Sequence, residues 1–290
     1  MLAGWALVGT CGGRVLAQES DTTEINKTRL YLLGGALTGT VVGIHLYQQA
    51  AWWQGDRAPF RFENDWQYAL NIDKWGHTYG AYVAANVAQS ALRWSNVPKQ
   101  NSLVYGCLLG LSYQLYVELE DGYHRSYGFS PGDAFSDVIG ASIPLAQAAF
   151  PVLQNFSMQW SYYPSSEYID ALEKKQFKVF IDDYEGQIYW IRMDPHFLLD
   201  RKTAQDFPKW LGVSFGIAAH NLNGSGVGDR TFYLAADYRL SDMDICKGSD
   251  FVHALLSTLD YIHLPSPGIA WEDGKVKVGI FYTYHVKLVL

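Results

Sequence analysis

Four stretches without a charged side chain, Leu30–Gly55, Trp75–Leu92, Gln100–Val117 and Val138–Tyr163, fill much of the first half of the chain. Each is long enough for a membrane-like or fully packed helix. Acids and histidines gather at their edges. Asp73 and His77 stand at the start of the second stretch; Glu118, Asp121 and His124 at the end of the third; Asp133 and Asp137 at the start of the fourth. Ionisable groups beside such helices are costly unless they pair with one another or serve a function.

Only 18% of the residues are charged, against about a quarter in ordinary soluble domains, and there are 20 Tyr and 10 Trp. That balance suits a membrane-associated or cell-envelope protein. The mean hydropathy of −0.08 keeps a soluble, Tyr-rich domain open as the competing reading. The net charge is −7, and no Lys/Arg run interleaved with aromatics occurs, which argues against nucleic-acid binding. The same acidity argues against docking on anionic lipid by charge alone. The N-terminus reads as a secretory leader, apolar over Met1–Val8, with Val15-Leu16-Ala17 as a small-residue cleavage site after Ala17. Lipidation at Cys11 ranks below simple cleavage, because Thr10 stands where Gly or Ala is needed. No metal-ligand spacing links Cys11, Cys107 and Cys246, and a Cys107–Cys246 disulfide ranks below a buried thiol at Cys107.

The expected fold class is α+β: a signal peptide over 1–17, an N-terminal four-helix membrane-associated bundle over 18–155, and an antiparallel β-rich region with a short helix over 156–290. In the first helix Gly35, Gly39 and Gly43 share a face; Gly76, Gly80, Ala84 and Ala88 do so in the second, and Gly106 and Gly110 in the third. Small-residue faces let helix backbones approach closely. After residue 155 the period changes to two. Leu211, Val213, Phe215 and Ile217 alternate with Gly212, Ser214 and Gly216; Phe232–Leu240 and Val276–Leu288 alternate likewise. These read as half-buried or lipid-facing strands. Phe177–Ile181 and Gln187–Met193 read as a hairpin about Tyr184-Glu185-Gly186, and Asp250–Ile262 as a short helix. Five or six strands are too few for a closed outer-membrane barrel.

Asp73 and His77 are four residues apart, as are Asp133 and Asp137, while Glu118, Asp121 and His124 step by three. Each set shares a helix face. Short antiparallel connections would bring the three faces to one end of a bundle. Three readings are open. The first is a structural polar cluster of Lys74, Glu118, Asp121, Asp133 and Asp137, with Lys74 and Arg125 neutralising the acids. The second is a divalent metal held by His77, Glu118, Asp133 and Asp137. The third is acid/base catalysis by His77 polarised by Asp73. Asp73 and Asp133 are also good capping residues with no further role. His45 and the scattered later histidines read as structural. No nucleophile elbow, phosphate loop, zincin or dinucleotide motif is present.

Asp73-Lys74-Trp75-Gly76-His77, Glu118, and the run from Gly128 to Ala141 that contains Ser130-Pro131-Gly132-Asp133 resemble the YfiM-like family of envelope proteins. More loosely they are similar to VanZ-like membrane proteins, whose pattern Asp73, Lys74, His77, Glu118, Asp133 and Gly140 match. Asp137 stands where that pattern has Asn, which favours a cation over a shared hydrogen-bond role. The resemblance implies a location and an architecture, not a reaction. The expected function is a structural or interaction role in the bacterial envelope, with membrane lipid or an envelope protein as partner. A metal-dependent or acid/base hydrolase acting on a lipid or cell-wall component is the alternative. Oligomeric state, membrane and orientation are left open.

Overall fold

The computed structural model describes residues 24–55, 57–176, 179–223, 226–243 and 249–280. The leader, Cys11 and Cys246 lie outside these residues, as does the strand expected beyond Ile280. The architecture is α+β, with seven helices and a six-stranded antiparallel sheet among the described residues. The helices α1 (Lys27–Ala51), α2 (Ile72–Trp94), α3 (Lys99–Gly122) and α4 (Pro131–Ala149) precede all the strands. Short helices α5 (Ser166–Glu173), α6 (Arg201–Asp206) and α7 (Asp250–Leu259) lie among the strands, and α7 stops three residues short of the expected end at Ile262.

Close packing centres on α2, which runs against both α3 and α4. The glycines explain how. A Cβ added at Gly110 would sit 2.6 Å from the Ala85 backbone nitrogen, and one at Gly140 would run into the Thr78 carbonyl. Gly34, Gly35, Gly39 and Gly43 of α1 have nothing within 4 Å of such an atom. The glycine ridge of α1 is therefore unused among the described residues. Gly140→Ala and Gly110→Ala are each expected to lower stability by about 1–3 kcal/mol through overpacking. Gly39→Ala is expected to cost nothing and to gain up to about 1 kcal/mol of helix propensity. Thermal unfolding of the three variants checks this, and an unchanged Gly140→Ala midpoint would contradict the close approach.

Helix α1 is fixed at its ends. Asn26 caps it by accepting from the Arg29 amide, and Arg29 donates to the Trp94 carbonyl at 2.9 Å. At the other end Trp52 Nε1 donates to Asp182 and Trp53 Nε1 to Asp121. Between these anchors Leu32, Val42 and Leu46 are exposed. Of the described helices, α1 alone is long and apolar enough to cross a membrane, with a mean hydropathy of 1.4 over its best window.

Strands β1 (Phe156–Tyr162), β2 (Gln187–Met193), β3 (Leu211–His220), β4 (Asp229–Tyr238), β5 (Gly268–Glu272) and β6 (Lys275–Gly279) pair in chain order. The hairpin expected over Phe177–Met193 does not form. Phe180–Asp182 and Tyr184–Gly186 are short 3-10 turns, and β2 pairs with β1 and β3 instead. Phe177 lies outside the described residues. The sheet curls on itself through residues 261–268. Trp160 of β1 donates to the Tyr261 carbonyl and accepts from the His263 amide, while Ala236 of β4 donates to the Pro267 carbonyl.

The face enclosed by this curl joins an apolar cluster of Ile188, Trp190, Ala218, Tyr233, Ala235 and Ala270 to a buried polar group. Gln159, Arg192, Ser214, Asp237 and His263 are each no more than 1% exposed. Arg192 Nε and His263 Nδ1 meet the two oxygens of Asp237 at 2.9 and 2.6 Å, Ser214 donates to Asp237 at 2.8 Å, and Trp190 stacks on His263. Ser266 Oγ lies 3.3 Å from His263 Nε2, which gives the connectivity of a Ser–His–Asp triad. All three residues are shut from solvent, so no substrate reaches the hydroxyl, and the group serves to tie segment 260–267 to the strands.

Candidate functional site

The outer face of β1 and β2 rests on α2, and this contact closes one side of a polar centre at the end of the bundle. Gly76 admits the Tyr189 ring, and Gly80 admits Gln114. The chain enters α2 through Ala69, Leu70 and Asn71, three successive residues with φ of 46°, 52° and 69°. A left-handed non-Gly residue costs roughly 1–2 kcal/mol. Arg230 of β4 clamps the turn by donating to the Leu70 carbonyl and, at 2.7 Å, to Asn71 Oδ1. That strained turn sets the position of Asp73, Lys74 and His77.

His77 occupies the middle of the centre. Its Nδ1 faces Asp137 at 3.1 Å and Glu118 at 3.7 Å; its Nε2 faces Asp133 at 3.7 Å and Asp73 at 3.8 Å. Lys74 Nζ lies 2.7 Å from Asp133, 2.8 Å from Asp73 and 3.0 Å from Asp65. Tyr184 donates to Asp73 at 2.9 Å and Gln114 to Asp137 at 3.2 Å. Ser130 caps α4 by accepting from the Asp133 amide, and its own amide donates to Glu118. Asp73, Lys74, Glu118, Asp133 and Asp137 are all buried, whereas the His77 side chain keeps 21% of its surface.

Five carboxyl groups thus surround one lysine and one histidine. Burial pushes Glu118 up to about 8, with Asp133 adding to the rise and His77 opposing it. Burial and then the neighbouring Asp73 charge take Asp133 up to about 7. Burial would also raise Asp73, but His77 and Lys74 outweigh it and hold that carboxyl below its usual value. For His77 burial favours the neutral ring, and the Asp137 hydrogen bond with the Asp73 and Asp133 charges raises it well above the usual imidazole value. Two overlapping sets, Asp73–His77–Asp133 and His77–Glu118–Asp137, place their ligand atoms within 4.8 Å of one another. The arrangement can store and pass protons or hold a cation.

The structure therefore brings Asp73, Lys74, His77, Glu118, Asp133 and Asp137 together. Asp121 stands to one side, where Trp53 Nε1 donates to it at 2.6 Å. Burial, the largest influence there, takes its carboxyl up to about 6. His124 is outside the centre and stacks on Trp53. The expected neutralisation by Arg125 is corrected: no ion pair involves it among the described residues, and it lends only its carbonyl to Arg61. Its loop carries the side chain outward. His45 pairs with Tyr116, and His196 with Asp194. Asp65, Gln114, Ser130 and Tyr184 were not expected. Gln114 sits one turn before Glu118, and Ser130 begins a capping pattern ahead of Asp133, so both carried a sequence signal. Asp65 and Tyr184 carried none.

Residues 61–148 match the model of a family described as "Predicted periplasmic lipoprotein (DUF2279)". The matched segment holds every member of the centre except Tyr184. This is a cell-envelope protein. It is exported, and it is periplasmic or membrane-associated. No curated protein matches the chain, and no solved structure does.

Proposed function

We propose that this envelope protein is membrane-associated and has a structural or interaction role, with lipid hydrocarbon covering one face of its sheet. The observation that carries this is the inverted burial of the strands. The face that is enclosed carries Arg192, Asp237 and His263 beside Trp190 and Tyr233, while on the outer face Phe215, Leu234, Ile269 and Val278 form one row across β3–β6 and Phe232, Trp271 and Val276 form another. Phe215 and Phe232 are about half exposed, at 51% and 50%, and Trp271 and Val278 more so, at 61% and 81%. Lys275, Lys277 and Glu272 all fall on the opposite face from these rows. Exposed apolar rows with no charge among them are the pattern of strands facing lipid. Helix α1 adds a second uncovered apolar surface, about 37 Å long at 1.5 Å per residue.

The finer YfiM-like and VanZ-like resemblance of Asp73–Gly140 fits this placement. The lipoprotein description of the matched family supports reopening Cys11 as an acylation site. On this reading the helical region and the sheet region act as one anchored unit, and the polar centre locks them together through Tyr184 and Asp73. His77→Ala is expected to reduce folded yield or capture of an envelope partner. A folded variant that had lost only a hydrolytic turnover would contradict the role.

The test of membrane association is flotation with phosphatidylethanolamine–phosphatidylglycerol vesicles followed by alkaline carbonate. The full chain is expected to float and to resist carbonate. The Phe232→Asp/Trp271→Asp variant is expected to lose much of that retention, since a charge on a lipid-facing strand costs up to about 2–4 kcal/mol. Release of the unaltered chain by carbonate would reject the reading in favour of a soluble bundle.

The hydrolase alternative is favoured by one feature. A groove of about 700 Å³ runs between α2, α4 and β1, lined by Trp75, Phe135, Ile139 and Phe156, and it reaches Lys74 beside the centre. An acyl chain would fit its apolar walls. Turnover of a phospholipid or lipid-linked substrate that disappears in folded His77→Gln protein is the result this alternative needs.

A further inference from the structure

His77 has two unlike neighbourhoods. On the Nε2 side, Asp73 and Asp133 already have a resident cation, because Lys74 Nζ pairs with both. On the Nδ1 side, Glu118 and Asp137 have no cationic neighbour but His77 itself among the described ion pairs. Asp137 is wholly buried. Its Oδ1 meets His77 and Gln114, while its Oδ2 has no hydrogen-bond partner among the described residues. A buried carboxylate oxygen without a partner is costly and marks a place where something binds. Glu118 gives Oε2 to the Ser130 amide, which leaves Oε1 turned to His77.

We propose that His77 Nδ1, Glu118 Oε1 and Asp137 form a binding site for one divalent cation of the zinc or manganese class. The three donors come from α2, α3 and α4, so helix packing fixes their separation. The separations of 3.1 and 3.7 Å from Nδ1 to the two carboxylates suit a common ion, since ligands at about 2.0–2.2 Å lie roughly 2.8–3.8 Å apart for angles of about 90–120°. One imidazole with two carboxylates is a donor set for borderline or hard divalent ions and not for a thiophilic one. The ion would balance the two carboxylates that Lys74 does not serve. With Nδ1 on the ion, Nε2–H faces Asp133 and Asp73, the carboxylate–histidine–metal arrangement that orients a ligating ring. Three protein donors leave a coordination position open. The inference concerns binding, and it stands whether the chain is an interaction protein or a hydrolase.

The experiment is calorimetric titration of the chelator-stripped full chain in detergent with Zn2+ and with Mn2+. Glu118→Gln and Asp137→Asn are measured in parallel, together with His196→Ala as a control at a peripheral histidine. One equivalent is expected to bind, with affinity lowered at least 10- to 100-fold in the two centre variants, the range that even outer-shell losses reach, and unchanged in the control. Circular dichroism establishes that the isosteric variants are folded. Should either misfold, Co2+ added to the unaltered chain decides: one equivalent is expected to give visible absorption bands that Zn2+ abolishes. Substoichiometric binding, equal affinity in folded Glu118→Gln and Asp137→Asn, or no cobalt bands would overturn the site and leave a proton as the balancing charge.

Discussion

Lys74→Ala is expected to destabilise the protein by about 3–5 kcal/mol, the range for stripping one partner from a buried ion pair. The ammonium is 7% exposed and touches three carboxylates, two of them as buried as itself. Burial alone would drive off its proton, but Asp73 and Asp133 outweigh burial and hold the group more basic than a free lysine. Truncation therefore leaves Asp65, Asp73 and Asp133 with His77 as their one remaining cationic neighbour among the described ion pairs, and His77 does not reach Asp65. Adding Asp133→Asn to Lys74→Ala is expected to recover part of the loss, since one of the uncompensated charges is then gone. Urea unfolding of the single and double variants measures both effects. A Lys74→Ala loss under about 1 kcal/mol would mean that solvent reaches the centre freely.

Asp237→Asn is expected to cost a similar amount, about 3–5 kcal/mol, inside the sheet. Its carboxylate is the shared acceptor for Arg192, His263, Ser214 and Gln159 inside the curled sheet. Arg192 Nη1 and Nη2 have no hydrogen-bond partner among the described residues, so an amide at 237 leaves a fully buried guanidinium with little to hold it. The pH dependence has a definite sign. Burial raises the Asp237 carboxyl, but the hydrogen bond and charge of His263 outweigh it and set the folded value below the usual one. A depressed carboxyl contributes stability above the unfolded value, near about 3.9, and loses it as pH falls through the folded value. The gap between wild type and Asp237→Asn should thus be full at neutral pH and should shrink below about pH 4. A gap that grew on acidification would contradict the assignment.

The two regions were legible to different depths. Helical spacing fixed that Asp73 and His77 share a face and that Asp133 and Asp137 share another, because that needs only 3.6 residues per turn. It also showed where close helix approach is affordable, but not where it happens. Gly110 and Gly140 are buried against backbone while Gly39 meets nothing, although all lie in similar small-residue runs. Asp65 was invisible because it lies in an irregular linker whose path is set by tertiary contacts. Tyr184 was read as part of a hairpin turn, since Glu185-Gly186 is good turn chemistry; the turn exists, but it delivers the phenol to Asp73 instead of joining two strands. Alternation in Leu211–Ile217 and Phe232–Tyr238 gave the strands and left open which face is enclosed. Burial chose the face of Gly212, Ser214 and Asp237, because segment 261–268 closes over it, Trp190 and Tyr233 pack there, and Arg192, Asp237 and His263 satisfy one another.

Helices α2, α3 and α4 hold His77 and the acids of separate segments in one enclosed centre. A double-mutant cycle between His77→Gln and Asp137→Asn, run on chelator-treated protein by urea unfolding, tests it across 60 residues of sequence. The 3.1 Å contact predicts a coupling energy of about 1–3 kcal/mol, as for residues in one hydrogen-bond network. Losses that add to within about 0.5 kcal/mol would show that the two side chains do not meet, and the centre would not exist as described.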